Sequence, residues 1–450
     1  MRRSEPLRRR EVVGYGLGDL ATGLYFNLAV VYLLIFYTDV VGIGPAAAGA
    51  ILLVARVTDA VTDPLMGVLA HRTRTRFGRY RPWLLVGAPF LALTTVAVFW
   101  APPLGQGGQV AYALVTFILF GVAYTVVNIP YLSLNAAMSG TATGRTTLAS
   151  ARLFCGFVAG FAMYTAYPWL VGEFGGQADG TLRAVTVTAL VATVLLVTCF
   201  ASTREAVPPP VVSTLRGSLA EMVGALRGNR PLYVLQIAFV LLYIGLTVRG
   251  ASLLFFFRYN LDAEAAFPVV GGLLLGFSLV GIAATPWLSQ RFDRVRLLQA
   301  CAVGFALASL GLAALVSGTT LASLPDGSRI AAAVLFAAAS TVSGPPLVIA
   351  WALLADTVEH GEAATGVRSE AGVYAASSFV FKLAKALGAG LAGFTLAATG
   401  FQAGVTQEPP AAAAILALTL VVPALTSLAS AIVMLAYPTT ASFRPVPRRV

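Results

Sequence analysis

Charge is scarce in this chain. Only 11% of its 450 residues are charged and 58% are hydrophobic, whereas ordinary soluble domains carry about 25% charged residues. A chain with this balance leaves almost no room for a soluble domain. The composition therefore predicts an integral membrane protein.

Histidine, cysteine and nucleotide-binding motifs are also nearly absent. There are two histidines, and the three cysteines lie in apolar runs without metal-ligand spacing. No glycine-rich phosphate loop, Walker sequence or Ser/His/Asp set is present. These absences argue against ATP-driven pumping by this chain alone and against a membrane transferase, so we expect neither an enzyme nor a bound cofactor.

Apolar runs of about 20 residues recur along the whole chain, as expected of membrane-spanning helices. They continue too long for barrel strands, so the fold class is all-α and polytopic. The twelve predicted helices cover 12–37, 46–70, 82–101, 109–136, 147–171, 182–202, 231–257, 266–288, 297–318, 330–355, 371–398 and 411–437.

The net charge of +11 comes from arginines in alternate loops. Arginines cluster near 2–10, 72–81, 204–230, 291–296 and 444–449, and are almost absent from the loops between those clusters. The positive-inside rule then places both termini in the cytoplasm. We expect a bacterial plasma membrane, a lipid bilayer as surroundings, no nucleic-acid partner and a monomer.

A polar stretch divides the chain into six helices plus six. The predicted units are 1–202, a cytoplasmic linker 203–230 and 231–450. Apolar residues at helical spacing predict an amphipathic helix in the linker. Arginine-rich turns follow the second and the eighth helix, which suggests two related halves with solute held between them near the membrane midplane.

Two acids interrupt the second predicted helix. Asp59 and Asp63 are four residues apart, so they share one helix face. A charged side chain near the bilayer centre costs about 2.5–3.5 kcal/mol by insertion scales, so the pair should face a polar interior. Carboxylates placed there can bind a hard cation or carry a proton. The alternative is an ion pair with Arg56 on the same helix.

Motifs in both halves resemble the glycoside–pentoside–hexuronide:cation symporters of the major facilitator superfamily. The matching strings, spread over nearly the whole chain, are YGLGDLATG, FYTDVVG, ARVTDAVTDPLMG, RFGRYRPW, YTVVNIPYLSL, ADTVEHGE and GVRSE. The resemblance implies the major facilitator fold with twelve helices. It also implies import of a solute coupled to Na⁺ or H⁺, with no cofactor other than that coupling ion.

The same resemblance implies roles for single residues. Asp59, Asp63, Thr62 and Thr125 fall on cation-site positions, although the family pattern has an asparagine at Thr62. Asp19, Arg152, Ser377, Ser378 and Lys382 fall on positions around the solute.

Two further residues are added to the solute site by their chemistry. Tyr15 lies one turn before Asp19, and an acid beside aromatic faces can cradle a sugar. Asn128 offers donors and acceptors beside Pro130, which opens the backbone. The alternatives are an ion pair of Asp19 with Arg152 or Lys382, and an interhelical clasp by Asn128.

The chain also departs from the family pattern around the solute. The pattern has an acid at Asn128, a lysine at Gly18 and tryptophans at Leu132 and Leu347. The cation side is therefore largely kept, while half of the sugar side is replaced.

An inner gate is a further hypothesis. Arg76 and Arg79 follow the second helix, and Asp356, Glu359 and Glu362 follow the tenth, so opposite charges could close the cytoplasmic side. Exposed ion pairs contribute only about 0.2–1 kcal/mol each. The alternative is simply positive-inside charge and solvated acids.

The sequence therefore predicts a cation-coupled symporter that imports a small polar solute, with a sugar or glycoside as the leading substrate class. The rivals within transport are a major facilitator carrier of a lysolipid or organosulfonate and a proton-driven exporter. The rival outside transport is an integral membrane transferase.

Overall fold

The chain forms two compact units, Met1–Leu215 and Arg216–Val450. The structure, a computed structural model, describes residues 7–139, 142–206, 229–317, 335, 337–365 and 370–438. Most of the predicted linker, including its amphipathic helix, lies outside the described residues.

Six helices make up the described part of the first unit. They are α1 Arg9–Val40, α2 Pro45–Arg72, α3 Arg81–Val98, α4 Gln106–Met138, α5 Ala142–Glu173 and α6 Gln177–Ser202. Proline opens α2 directly after Gly44, where its missing N–H costs no helical hydrogen bond.

Six helices also make up the described part of the second unit. They are α7 Arg230–Asn260, α8 Phe267–Arg291, α9 Arg294–Ser317, α10 Gly344–Thr365, α11 Glu370–Ala398 and α12 Pro409–Ala436. A 3₁₀ turn, Ser340–Val342, precedes α10.

Eleven helical segments of the described residues are long and apolar enough to cross a membrane. Helix α2 is also long enough to cross, because its 28 residues extend about 42 Å at 1.5 Å per residue, but only its first part, Pro45–Ala55, is continuously apolar. The all-α prediction is confirmed, and most predicted helix bounds agree within a few residues. The predicted end of the tenth helix at residue 355 is wrong, because α10 continues as a helix through its acidic segment to Thr365.

Helix α1 packs against α5 and α6 in the first unit. Two buried tyrosines fix it there: the Tyr25 hydroxyl donates to the Ala189 carbonyl at 3.0 Å, and the Tyr32 hydroxyl donates to the Met163 carbonyl at 2.6 Å. Buried phenols need such partners because an unbonded polar group in an apolar interior is costly. The first bond ties the Asp19 helix to α6, and the second ties it to α5, the helix of Arg152.

Helix α7 packs against α11 and α12 in the second unit. Asn229 caps its start, accepting from the Leu232 N–H at 3.2 Å and donating to the Thr357 carbonyl on α10 at 2.8 Å. Further along α7, the buried Arg249 guanidinium donates to the Ser340 hydroxyl at 2.8 Å. Both contacts tie α7 to the segment that contains α10.

Candidate functional site

The predicted cation residues meet where α2 packs against α4. The buried Thr125 hydroxyl of α4 donates to Asp63 Oδ1 of α2 at 2.8 Å. Thr62 and Asp63 are half-buried. Asp59 lies one turn earlier on α2, and its side chain lies outside the described part of the chain. The contact brings a carboxylate and a hydroxyl together inside the membrane-spanning part, and both are ligand types that a hard cation takes.

Asp19 and Arg152 face each other between α1 and α5. Arg152 Nε lies 3.9 Å from Asp19 Oδ1, so the ion pair that was the alternative reading of Asp19 is present. Within the described residues, Arg152 Nε has no hydrogen-bond partner although it is buried. A buried donor of this kind normally finds an acceptor. At 3.9 Å the two charges attract each other, and the N–H of Arg152 Nε remains able to donate to a further acceptor.

Gly156 creates the space beside this pair. It lies one turn after Arg152 on α5, and a Cβ atom at this position would overlap the Asp19 carboxylate. Sequence reasoning did not single out Gly156, because the close approach depends on how α1 packs against α5. A glycine one helical turn from an intramembrane arginine was the only available signal.

Tyr15 lies behind the site and not on its surface. Its side chain is 0% exposed, its ring stacks on Tyr131 at 4.9 Å between centroids, and the Tyr131 hydroxyl donates to the Tyr15 carbonyl at 2.8 Å. A Cβ atom at Gly18 would overlap the Tyr131 ring. The lysine of the family pattern therefore has no room at Gly18 while Tyr131 keeps this position.

Helix α4 connects the two groups of residues. Thr125, Asn128 and Tyr131 are spaced by three residues, so they follow one another along one side of the helix. Thr125 contacts the acid of α2, Tyr131 packs on the helix that carries Asp19, and Asn128 lies half-buried between them. A change at one end of this row can reach the other through a single helix.

The second unit contributes Ser377, Ser378 and Lys382 from α11. Ser377 is buried, accepts from Gln236 Nε2 of α7 and donates to the Val373 carbonyl at 2.9 Å. Ser378 is exposed, and Lys382 lies half-buried one turn further on. Ser377 therefore joins two helices of its own unit, while Ser378 is exposed one residue later.

Glu205, an acid to which the sequence analysis gave no role, binds the backbone beside the predicted gate residue Arg79. The Glu205 carboxylate accepts backbone N–H bonds from Arg79 at 2.9 Å, Tyr80 at 2.8 Å and Arg81 at 3.1 Å. Burial and this nearby carboxylate raise the pKa of the Tyr80 phenol. The Arg81 guanidinium in turn donates to the Phe200 carbonyl at 2.6 Å.

Two other predicted gate residues, Arg76 and Asp356, each contact a residue of their own unit. Arg76 lies over the Phe77 ring at 4.6 Å, and Arg294 Nη2 lies 2.8 Å from Asp356 Oδ2. Glu359 is exposed, and Glu362 is half-buried. The gate between the halves stays a prediction.

We expect Glu205→Ala to lower the thermal unfolding midpoint of the purified protein by several degrees. Hydrogen bonds to a charged group contribute about 1.5–3 kcal/mol, and three backbone donors lose their acceptor together. Glu205→Gln should lose less, because its amide oxygen still accepts. Glu408→Ala is the matched control, since Glu408 precedes α12 without making a side-chain cap bond. Equal midpoints for Glu205→Ala and the control would contradict this role.

Comparisons with known proteins agree with this architecture. The model of a family described as MFS/sugar transport protein matches residues 14–441. The glucuronide carrier protein homolog of Escherichia coli is 35% identical over 414 residues, which cover 90% of this chain and 87% of that protein. A putative glycoside/cation symporter of the same organism is 32% identical, over 90% of this chain and 86% of its own length.

The solved structures support the same fold. The crystal structure of a D-xylose-proton symporter superposes with a TM-score of 0.66 over 97% of this chain and 98% of that one. Its sequence identity of 16% supports the fold alone. The major facilitator fold predicted from the sequence is thus confirmed.

Proposed function

Because the chain belongs to the MFS/sugar transport protein family, we propose that it imports a sugar or glycoside together with a cation. The predicted symporter family is confirmed by the family match and the curated relatives, and the chain is a multi-pass membrane protein. The contact that carries the proposal is the bond between Thr125 and Asp63 in the same unit as the Asp19–Arg152 pair. It supports an ion site and a polar solute site connected by α4.

The cation would bind at Asp59, Asp63, Thr62 and Thr125. A bound Na⁺ or proton neutralises carboxylate charge that is costly at membrane depth. With Na⁺ bound, a lone pair of the Thr125 oxygen would coordinate the ion while its O–H still donates to Asp63. The coupling ion, whichever it is, would thereby change the interaction between α2 and α4.

In the first unit the solute would bind at Asp19, Arg152 and Asn128, and Ser378 and Lys382 are the solute residues proposed for the second unit. Tyr15 and Ser377 would position these groups, since both are buried. The Asp19 carboxylate would accept hydrogens from sugar hydroxyls, and the Arg152 guanidinium and the Lys382 ammonium are the groups that would donate to sugar oxygens. Each ligand would favour the other, because ordering α4 from the cation side also orders Asn128 and Tyr131.

Transport assays with purified protein in liposomes test this function directly. A panel of labelled sugars and glycosides is offered under an imposed Na⁺ gradient, an imposed H⁺ gradient or neither. We expect accumulation of at least one sugar with one gradient only. Transport of a lysolipid or an organosulfonate without transport of any sugar would contradict the proposed substrate class.

Both termini and the arginine-rich turns would face the cytoplasm of a bacterial cell, with a single chain as the transport unit. In a cysteine-free background, we expect an impermeant maleimide to label Gln106→Cys on intact cells. Arg74→Cys should react only after the membrane is opened, because the two exposed positions lie at opposite ends of spans. The reverse pattern would invert the proposed orientation.

A further inference from the structure

A partly exposed tryptophan lies among buried aromatic rings in the second unit. Trp351 of α10 is 37% exposed, whereas Phe239 and Tyr243 of α7 are buried. The indole Nε1 of Trp351 donates to the Tyr243 hydroxyl at 2.9 Å. Its one polar group is therefore satisfied inside the unit, and the remaining surface is apolar ring.

Edge contacts fix the orientation of this ring. The Trp351 ring meets Phe239 at 5.2 Å and 62° and Phe381 of α11 at 6.5 Å and 69°. Tyr243 and Phe381 meet edge to face at 4.3 Å. Such pairs hold aromatic rings in defined positions. Three helices thus keep the exposed indole in one orientation before any ligand arrives, and this lowers the entropy cost of binding.

A cation shares the same aromatic neighbours. Lys385 Nζ of α11 lies 4.1 Å from the Phe381 ring centroid and 5.9 Å from that of Tyr243. Tyr243 lies near the middle of α7, Arg230–Asn260, so the cluster lies well inside the membrane-spanning part. A flat apolar ring and an ammonium are therefore placed around the same two rings at membrane depth.

We propose that Trp351 and Lys385 form a subsite for an anionic sugar, with Trp351 stacking on the sugar ring and Lys385 binding its carboxylate. This proposal rests on the proposed function. The C–H face of a pyranose is apolar and packs on an aromatic ring. A carboxylate forms a charge-assisted bond with an ammonium. Together the two residues favour a uronide over the corresponding neutral glycoside, while Tyr243 and Phe381 act as positioning residues.

A matched pair of solutes tests the subsite. Methyl β-glucuronide and methyl β-glucoside differ in a carboxylate against a hydroxymethyl group, and the affinity for each is measured with the reconstituted full chain. Trp351→Leu should weaken both by about tenfold, near the upper end of what an aromatic contact supplies. Lys385→Gln should reduce the preference for the glucuronide by at least about tenfold and leave glucoside affinity unchanged.

Trp287 of α8 is the matched control. It is 53% exposed in the same unit, and a cation also lies over its ring, with Arg291 at 4.2 Å. Trp287→Leu should leave both affinities unchanged. Trp351→Phe keeps an aromatic face and covers the case in which Trp351→Leu does not fold. It should retain most sugar affinity yet lose the glucuronide-induced change in tryptophan fluorescence, which Trp287→Phe should keep.

The possible results distinguish failure of the proposed function from failure of the subsite alone. If the wild-type chain moves no sugar under any gradient, the proposed function and the subsite both fail. If the wild type moves sugars but Trp351→Leu binds both solutes normally, only the subsite fails. An unchanged glucuronide preference in Lys385→Gln, or an unchanged fluorescence response in Trp351→Phe, overturns it equally.

Discussion

Asp63→Asn is expected to abolish accumulation of solute against a gradient while leaving exchange of solute across the membrane. Asparagine keeps the size of the side chain, and its amide oxygen can still accept the bond that Thr125 donates to Asp63. What it loses is the negative charge that a cation or proton neutralises. The internal-to-external solute ratio should therefore fall to the value set by equilibration alone, as measured with labelled solute in liposomes under an imposed ion gradient.

Related variants assign this loss to the cation site. Asp59→Asn should behave like Asp63→Asn if both acids serve one ion. Thr125→Val removes only a hydroxyl, so it should weaken the apparent cation affinity by about tenfold and retain accumulation at high cation concentration. Asp179→Asn is the control, because this exposed acid lies in the first turn of α6 away from the α2–α4 contact. Full accumulation by both Asp59→Asn and Asp63→Asn would refute the assignment.

The helices could be predicted from the sequence because lipid imposes a simple rule on the chain. Each span needs a long apolar run, and its ends are marked where charge returns. The same rule explains the error at α10, where Asp356, Glu359 and Glu362 resemble a loop but continue a helix to Thr365. Backbone hydrogen bonding continued after the apolar run ended, and hydropathy does not detect this.

The site was predictable only where one helix carries the signal. The four-residue spacing of Asp59 and Asp63 depends on α2 alone, whereas the relation of Asp63 to Thr125 required the family resemblance. Gly156, Glu205 and the Trp351 cluster depend on contacts between helices, and a single sequence does not specify such contacts. Spacing along one helix can also mislead. The spacing of Tyr15 from Asp19 suggested a solute contact, but the Tyr15 ring is buried against Tyr131.

Asp19→Ala is expected to weaken solute binding by at least about tenfold and to leave cation binding unchanged. The carboxylate accepts hydrogens from a hydroxylated solute, and bonds to a charged group contribute about 1.5–3 kcal/mol. Cation binding should persist because Asp63 and Thr125 contact each other on α2 and α4, which the substitution does not alter. Solute and cation affinities are measured separately by calorimetry on the purified protein.

Gly156→Ala separates the position of the Asp19 carboxylate from its charge. The added methyl group keeps both Asp19 and Arg152, but it occupies the space of the carboxylate and forces it to move. Solute affinity should fall as in Asp19→Ala if the geometry of the pair matters, with cation affinity again preserved. Gly172→Ala on the same helix is the control, since a Cβ atom there meets no neighbour within 4 Å. Normal solute binding by both Gly156→Ala and Asp19→Ala would remove Asp19 from the solute site, because neither its charge nor its position would then affect the affinity.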